Sequence, residues 1–265
     1  PTGRRDQGLM STERVTAAAL VIGNEILSGR TQDSNLGYLG RRLTELGIRM
    51  CEARVIPDER DMIVDNVNAL RAAHDYVFTT GGIGPTHDDI TADCIAAALD
   101  RPLIENRDAR ALLEARYGSD GLTPARLRMA RTPTDATLIE NPVSAVPGFQ
   151  VANVFVLAGI PDVMRAMFES VAHRLTGGAR LLTATIVAPL REGDLAGPLG
   201  EIQARYPDAE IGSYPFYSSA QFGASLVIRS ADPGLLQTVL DAVRAMVRDL
   251  GAEPLSEEVE PAPAS

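Results

Sequence analysis

What this chain lacks narrows its function before any motif is considered. It has no surplus of positive charge: 25 Lys and Arg stand against 35 Asp and Glu, giving a formal net charge of −10. Binding to nucleic acid or to an anionic membrane needs a basic face, so neither is an expected partner. A phosphorylated small ligand stays open, because backbone N–H groups and a bound metal hold phosphate without many basic side chains. No apolar run approaches the ~20 residues that span a bilayer. The polar start, read as a flexible segment over residues 1–14, has no hydrophobic signal-peptide core. Met10 is a candidate natural start, with residues 1–9 an upstream extension.

Cysteine is equally scarce. Cys51 and Cys94 stand far apart, without metal-ligand spacing. Both fall in apolar, periodic segments, which predicts buried free thiols rather than a disulfide and fits a reducing cytoplasm. No nucleophile elbow, no Cys/His zinc pattern and no internal repeat is present. What remains is ordinary globular composition, 45% apolar and 23% charged, which excludes a disordered chain.

From Val15 onward, short apolar runs alternate with amphipathic stretches, the pattern of βαβ units and a mostly parallel sheet. The fold class is therefore α/β, a domain with a mostly parallel sheet over residues 15–177. The runs at Thr16–Ile22, Cys51–Ile56, Tyr76–Thr80 and Val154–Leu157 read as strands. Helices are expected between them, the first capped by Gly47 and a later one over Ile90–Leu99. Residues 132–148 read as a long, non-periodic and therefore functional loop. Thr176-Gly177-Gly178 reads as a hinge to a small α+β domain over residues 178–252, followed by a disordered acidic tail over 253–265. Tyr214, Phe216, Tyr217 and Phe222 are expected to pack that small domain or an oligomer contact rather than to stack on a base.

Ligands bind outside the carboxyl ends of parallel strands, and three clusters fall there. The first is Gly23-Asn24-Glu25, with Asp33 and Asn35 following. The second runs from Gly81 to Thr91, Gly-Gly-Ile-Gly-Pro-Thr-His-Asp-Asp-Ile-Thr. The third is Gly159-Ile160-Pro161. Gly81, Gly82 and Gly84 allow backbone amides to approach an anion, and a helix N-terminus follows. Asp88 and Asp89 would repel phosphate unless a divalent cation bridges them to it. These are the candidate metal ligands and, with Glu25, the candidate catalytic residues. Gly23, Asn24, Asp33, Asn35, Asp58, Gly81, Gly82, Gly84, Pro85, Thr86, Thr91, Gly159 and Pro161 are the candidate ligand-binding residues. Asp33 is read first as a helix cap, Asp58 as equally a turn residue, and His87 as a solvent-exposed loop residue.

These clusters, with Thr31, Asn141-Pro142 and Pro147-Gly148-Phe149, resemble the molybdopterin-binding domain superfamily over about Val15–Leu175. The Gly81–Thr91 run is similar to the competence/damage-inducible protein A branch, and Glu210–Arg229 resembles its small second domain. The same domain precedes the synthetase part of eukaryotic FAD synthases. The resemblance implies a three-layer α/β/α fold and a cytoplasmic, homo-oligomeric bacterial protein. It also implies a pyrophosphatase acting on ADP-ribose or a related nucleotide with Mg²⁺, Mn²⁺ or Co²⁺. The alternative is a non-catalytic binder of molybdopterin or a nucleotide; a molybdopterin adenylyltransferase is less well matched by Pro85–Asp89. The chain departs from the branch at Pro57, Ala158 and Val163, the last removing a possible carboxylate from the third cluster. It ends before the nicotinamide-mononucleotide deamidase domain often fused to this one, so that activity is not expected.

Overall fold

The structure, a computed structural model, describes residues 14–217 and 222–259. The segment 1–14 therefore lies outside the described residues except for Arg14. The chain divides into two compact units between Gly178 and Ala179. Among the described residues, no helix is long and apolar enough to cross a membrane.

In the first unit the elements follow in the order β1 (Thr16–Ile22), α1 (Asn24–Leu27), α2 (Asn35–Glu45), β2 (Arg49–Ile56), α3 (Arg60–Ala73) and β3 (Tyr76–Thr80). Then come α4 (Thr91–Ala98), β4 (Leu103–Glu105), α5 (Arg107–Tyr117), α6 (Pro124–Arg128), β5 (Arg131–Pro133) and β6 (Thr137–Ile139). The unit closes with β7 (Gly148–Val151), β8 (Val154–Leu157) and α7 (Pro161–Val171). Six strands form one sheet in the order β2-β1-β3-β8-β7-β6. β2, β1, β3 and β8 are parallel; β7 runs antiparallel to β8, and β6 antiparallel to β7.

The strand β1 is apolar without alternation because both of its faces are covered. Ala17 and Ala19 face a layer that contains Leu39 and Leu43 of α2 and Met164, Met167 and Phe168 of α7. Ala18, Leu20 and Ile22 face Ile63, Val67 and Leu70 of α3 and Cys94 and Ile95 of α4. Phe78 of β3 stacks on Phe155 of β8 at 5.1 Å between ring centroids and tilts against Phe168 at 5.6 Å, filling the first layer. Gly47 has φ +72° just beyond α2, and its amide donates to Thr44 O, as expected of a helix-terminating glycine.

Residues 103–133 form an appendage held by the antiparallel pair β4–β5 and a small cluster of Ala109, Leu113 and Ala130. The stretch read as a long loop over 132–148 therefore contains the end of β5 and all of β6. Three-residue strands are too short to show a period of two. Asn141 organises what is left: its Oδ1 accepts from Val143 N and Ser144 N, and its Nδ2 donates to Val146 O.

Cys94 is buried as expected, but Cys51 is exposed, and neither forms a disulfide. β2 is an edge strand whose pairing to β1 skips Cys51: Ala17 faces Met50 and Ala18 faces Glu52. Such a bulge leaves its extra residue unpaired, and Cys51 shares the exposed face of β2 with Arg49, Ala53 and Val55.

The second unit is an antiparallel sheet in the order β10-β11-β9-β12, built from β9 (Leu182–Ala188), β10 (Glu210–Tyr217), β11 (Phe222–Ser230) and β12 (Ser256–Val259). Helices α8 (Glu192–Arg205) and α9 (Pro233–Asp249) cover one face through Leu195, Leu199, Val239, Leu240 and Val243. Part of the stretch expected to be a disordered tail is thus a strand. Glu257 pairs in register with Ile186 and meets the Arg244 guanidinium at 2.5 Å. Residues 253–255 lead into β12 without regular structure, and 260–265 lie outside the described residues. Tyr214, Tyr217 and Phe222 are exposed and contribute no core packing to the domain.

Candidate functional site

Parallel pairing ends β1, β3 and β8 on one rim, at Ile22, Thr80 and Leu157. The three sequence clusters follow those ends directly. Gly81 turns the chain at φ +105° with its amide donated to Leu157 O at 3.2 Å. A β-carbon there would stand 2.1 Å from Ile22 O, so the three strand ends meet only because this residue has no side chain. Gly159 packs against the same point, its β-carbon position 3.3 Å from Gly81 Cα.

Thr91 secures the bend. Its hydroxyl donates to Gly81 O at 3.0 Å and its amide to Gly82 O at 3.0 Å. A side chain on Gly82, where φ is +68°, would strike that hydroxyl. Thr91 is fully buried, so it positions the loop rather than presenting itself to a ligand. None of Asp88, Asp89 or Thr91 caps α4 through its side chain.

Two clefts flank the bend. One is lined by Ile22, Glu25, Thr31, Asp33, Asn35, Thr80, Gly159 and Pro161. The other is lined by Gly82, Gly84, Asp89, Asp93, Arg128, Pro147 and Phe149. Glu25 therefore lines a different cleft from Asp89, although all three proposed acids share the rim. Its carboxylate folds back over Gly23, where a β-carbon would lie 2.5 Å from Oε1.

The loop from Pro85 to Asp88 is exposed and Asp89 half-buried. Asp88 Oδ1 and Asp89 Oδ2 both lie within hydrogen-bond distance of the Thr86 hydroxyl, and Thr86 N donates to Asp89 Oδ2 at 2.8 Å. One hydroxyl proton serves one acceptor at a time, so two carboxylates converge on a single donor. The Thr86 hydroxyl, and then the Asp88 amide, hold the Asp88 carboxyl below its ordinary value. His87 is 96% exposed, as expected of a bystander. Arg128 Nη2 donates to Asp89 O at 3.2 Å and brings a cation from the appendage into this cleft.

Other candidates serve the scaffold. Asp58 Oδ2 accepts from Asn24 N at 2.9 Å, and neither residue lines a cleft. Asp33 Oδ1 accepts from Leu36 N at 2.9 Å in the first turn of α2, so its capping reading holds, while the residue also borders the first cleft. Val163 is buried among the apolar side chains of the first layer, so this position presents no side chain to the rim. Thr80 and Arg128 were not among the residues singled out by sequence. Thr80 is the last residue of β3, directly before the glycine run, and that position is its signal; nothing local marks Arg128, 39 residues away from Asp89.

A family model described as "Probable molybdopterin binding domain" matches residues 18–177. The chain belongs to this molybdopterin-binding domain family. A second family model, "FAD synthase, middle domain", matches residues 180–254. A protein of Aeropyrum pernix is 33% identical over 93% of this chain and 98% of its own length. A "Probable FAD synthase" of Caenorhabditis briggsae is 29% identical over 89% of this chain, which spans half the length of that protein. The crystal structure of the protein CinA, "with unknown function", from Thermoplasma acidophilum superposes with a TM-score of 0.58 at 34% identity, covering 61% of this chain and 98% of that one. Members of the family thus share the three-layer unit in which the two clefts lie.

Proposed function

We propose that this molybdopterin-binding-family protein holds a nucleotide- or pterin-like ligand by its phosphate at the Gly81–Gly84 bend. With a divalent cation it hydrolyses a phosphoanhydride of that ligand, ADP-ribose being the model substrate. The observation that carries the reading is the convergence of Asp88 and Asp89 on the Thr86 hydroxyl, beside a glycine loop whose Gly81 amide is taken by Leu157 O and whose Gly82–Gly84 stretch is left to offer amides. Two carboxylates facing one hydroxyl form an oxygen set suited to Mg²⁺, Mn²⁺ or Co²⁺. Among the described residues no group of three or more His, Cys, Asp or Glu is placed to hold a metal. The fit is therefore to a cation that completes its shell with water and phosphate, the habit of Mg²⁺. Such a cation would neutralise charge on the phosphates as the bond breaks. Arg128 stands on the other side of Asp89 and offsets further negative charge. Glu25, on the neighbouring cleft, is the residue available to orient water on the far side of the bend.

The test is release of AMP from ADP-ribose with each of the three cations. Asp88→Asn and Asp89→Asn are each expected to lower turnover at least about a hundredfold, as loss of a preorganised charge-stabilising group does. Unchanged turnover in both variants removes the metal role, and no AMP from the wild-type protein removes the hydrolase.

A second reading takes from the FAD synthase middle-domain match and the named relative only an association with nucleotides. In it the unit binds a nucleotide or molybdopterin without cleaving it. That reading expects ligand-dependent stabilisation with no product.

A further inference from the structure

The first cleft carries two buried polar atoms whose hydrogen bonds are unmet. Asn35 is 4% exposed and Thr80 1% exposed, and both line this cleft. Asn35 Oδ1 and Thr80 Oγ1 have no partner. The orientation of the Asn35 amide is not arbitrary: Nδ2 donates to Gly159 O at 2.8 Å, and turning the amide over would set two oxygens against each other. Its Oδ1 is therefore an acceptor held in place without a donor. Leaving such groups buried and unpaired is costly, and the residues persist at the rim where the three clusters meet. Thr79 next door also lacks a partner but borders neither cleft, so it is the opening beside Asn35 and Thr80 that distinguishes them.

The neighbouring side chains have the same polarity. Glu25 and Asp33 add carboxylate oxygens to this cleft, and no basic side chain lines it. The other cleft also holds two carboxylates, Asp89 and Asp93, but there Arg128 and the Gly82–Gly84 backbone stand beside them. The side with the basic residue is the one that suits phosphate. We propose that the Asn35–Thr80 cleft is a recognition subsite for the uncharged, donor-bearing part of the ligand, with the two side chains as specificity-determining residues that accept hydrogen bonds from a pair of adjacent N–H or O–H groups. A ribose diol and the amino-lactam edge of a pterin share that chemistry. The assignment rests on the phosphate reading of the bend and deepens it.

Thr80→Val tests it with little structural risk, because the replaced hydroxyl makes no hydrogen bond within the protein. The probes are AMP, 2′,3′-dideoxy-AMP and 6-hydroxymethylpterin, each titrated calorimetrically into the full chain with Mg²⁺. The wild-type protein is expected to bind AMP about tenfold tighter than its dideoxy form, or else to prefer the pterin. Thr80→Val is expected to weaken the preferred probe about tenfold, the size of one neutral hydrogen bond, and Thr80→Ser to restore it. The melting temperature of Thr80→Val is expected to hold or rise. Equal affinity of wild type and Thr80→Val for the preferred probe overturns the assignment, as does failure of the wild type to bind any probe. A lowered melting temperature with unchanged selectivity also overturns it, and indicates a structural water instead. Binding of inorganic pyrophosphate by the wild-type protein reports on the glycine bend alone, so the two readings fail separately.

Discussion

Replacing Gly81 by alanine probes the geometry on which the rim depends. The new β-carbon would stand 2.1 Å from Ile22 O, far inside the ~3.5 Å at which nonbonded heavy atoms rest comfortably. Both atoms belong to backbone, so neither can swing aside as a side chain would. Holding an alanine at φ +105° costs about 1–2 kcal/mol, and relieving an overpacked contact by moving backbone costs about 1–3 kcal/mol. The expected destabilisation is therefore about 2–5 kcal/mol. Gly29→Ala is the reference in the same unit. Gly29 also has positive φ, at +70°, but nothing lies within 4 Å of its β-carbon position, so only the dihedral cost of about 1–2 kcal/mol applies. Urea unfolding followed by far-ultraviolet circular dichroism should separate the two variants by at least about 1 kcal/mol. If Gly81→Ala unfolds at the same midpoint as Gly29→Ala, the strand ends do not meet so tightly. The account of the bend would then be wrong.

Two further outcomes follow from electrostatics and burial. The Glu169 carboxyl is held below its ordinary 4.5 chiefly by the Arg42 guanidinium, with Tyr38 adding a hydrogen bond. A carboxyl with a lower pKa in the folded state stabilises above its unfolded value, and the gain is lost as pH falls through the folded value. Stability should thus decline more steeply below about pH 4.5 in the wild type than in Glu169→Gln, and parallel acid-unfolding curves would refute the link. Burial pushes the Cys94 thiol up to about 11, while Cys51 is exposed. A thiol reagent at pH 8 should therefore modify one cysteine per native chain and the second only on unfolding; rapid modification of both would contradict the buried placement of Cys94.

Much of the central sheet was legible because its strands are covered on both faces. Thr16–Ile22, Tyr76–Thr80 and Val154–Leu157 fall where their apolar runs fall, and the glycine-rich run sits at the end of one of them. Legibility failed where tertiary pairing decides the outcome. Cys51 lies on the exposed face of β2 with Arg49, Ala53 and Val55, and the edge position that leaves this face open is set by sheet order rather than by local composition. β12 is charged and short, and takes its order from pairing with β9. Asp58 Oδ2 accepts from the Asn24 amide, a pairing 34 residues apart that no local pattern shows. Thr80 and Asn35 meet only because β1, β3 and β8 end together, and Arg128 arrives from an appendage that shares no periodicity with the sheet.

Thr91 grips both residues of the glycine turn, through its hydroxyl at Gly81 and its amide at Gly82. The turn therefore cannot shift on its own; whatever tugs on it also tugs on α4 and the layer of Cys94 and Ile95 behind it. Occupation of the rim would in that case be felt in the slow exchange of amide hydrogens along that helix, well behind any surface a ligand could touch.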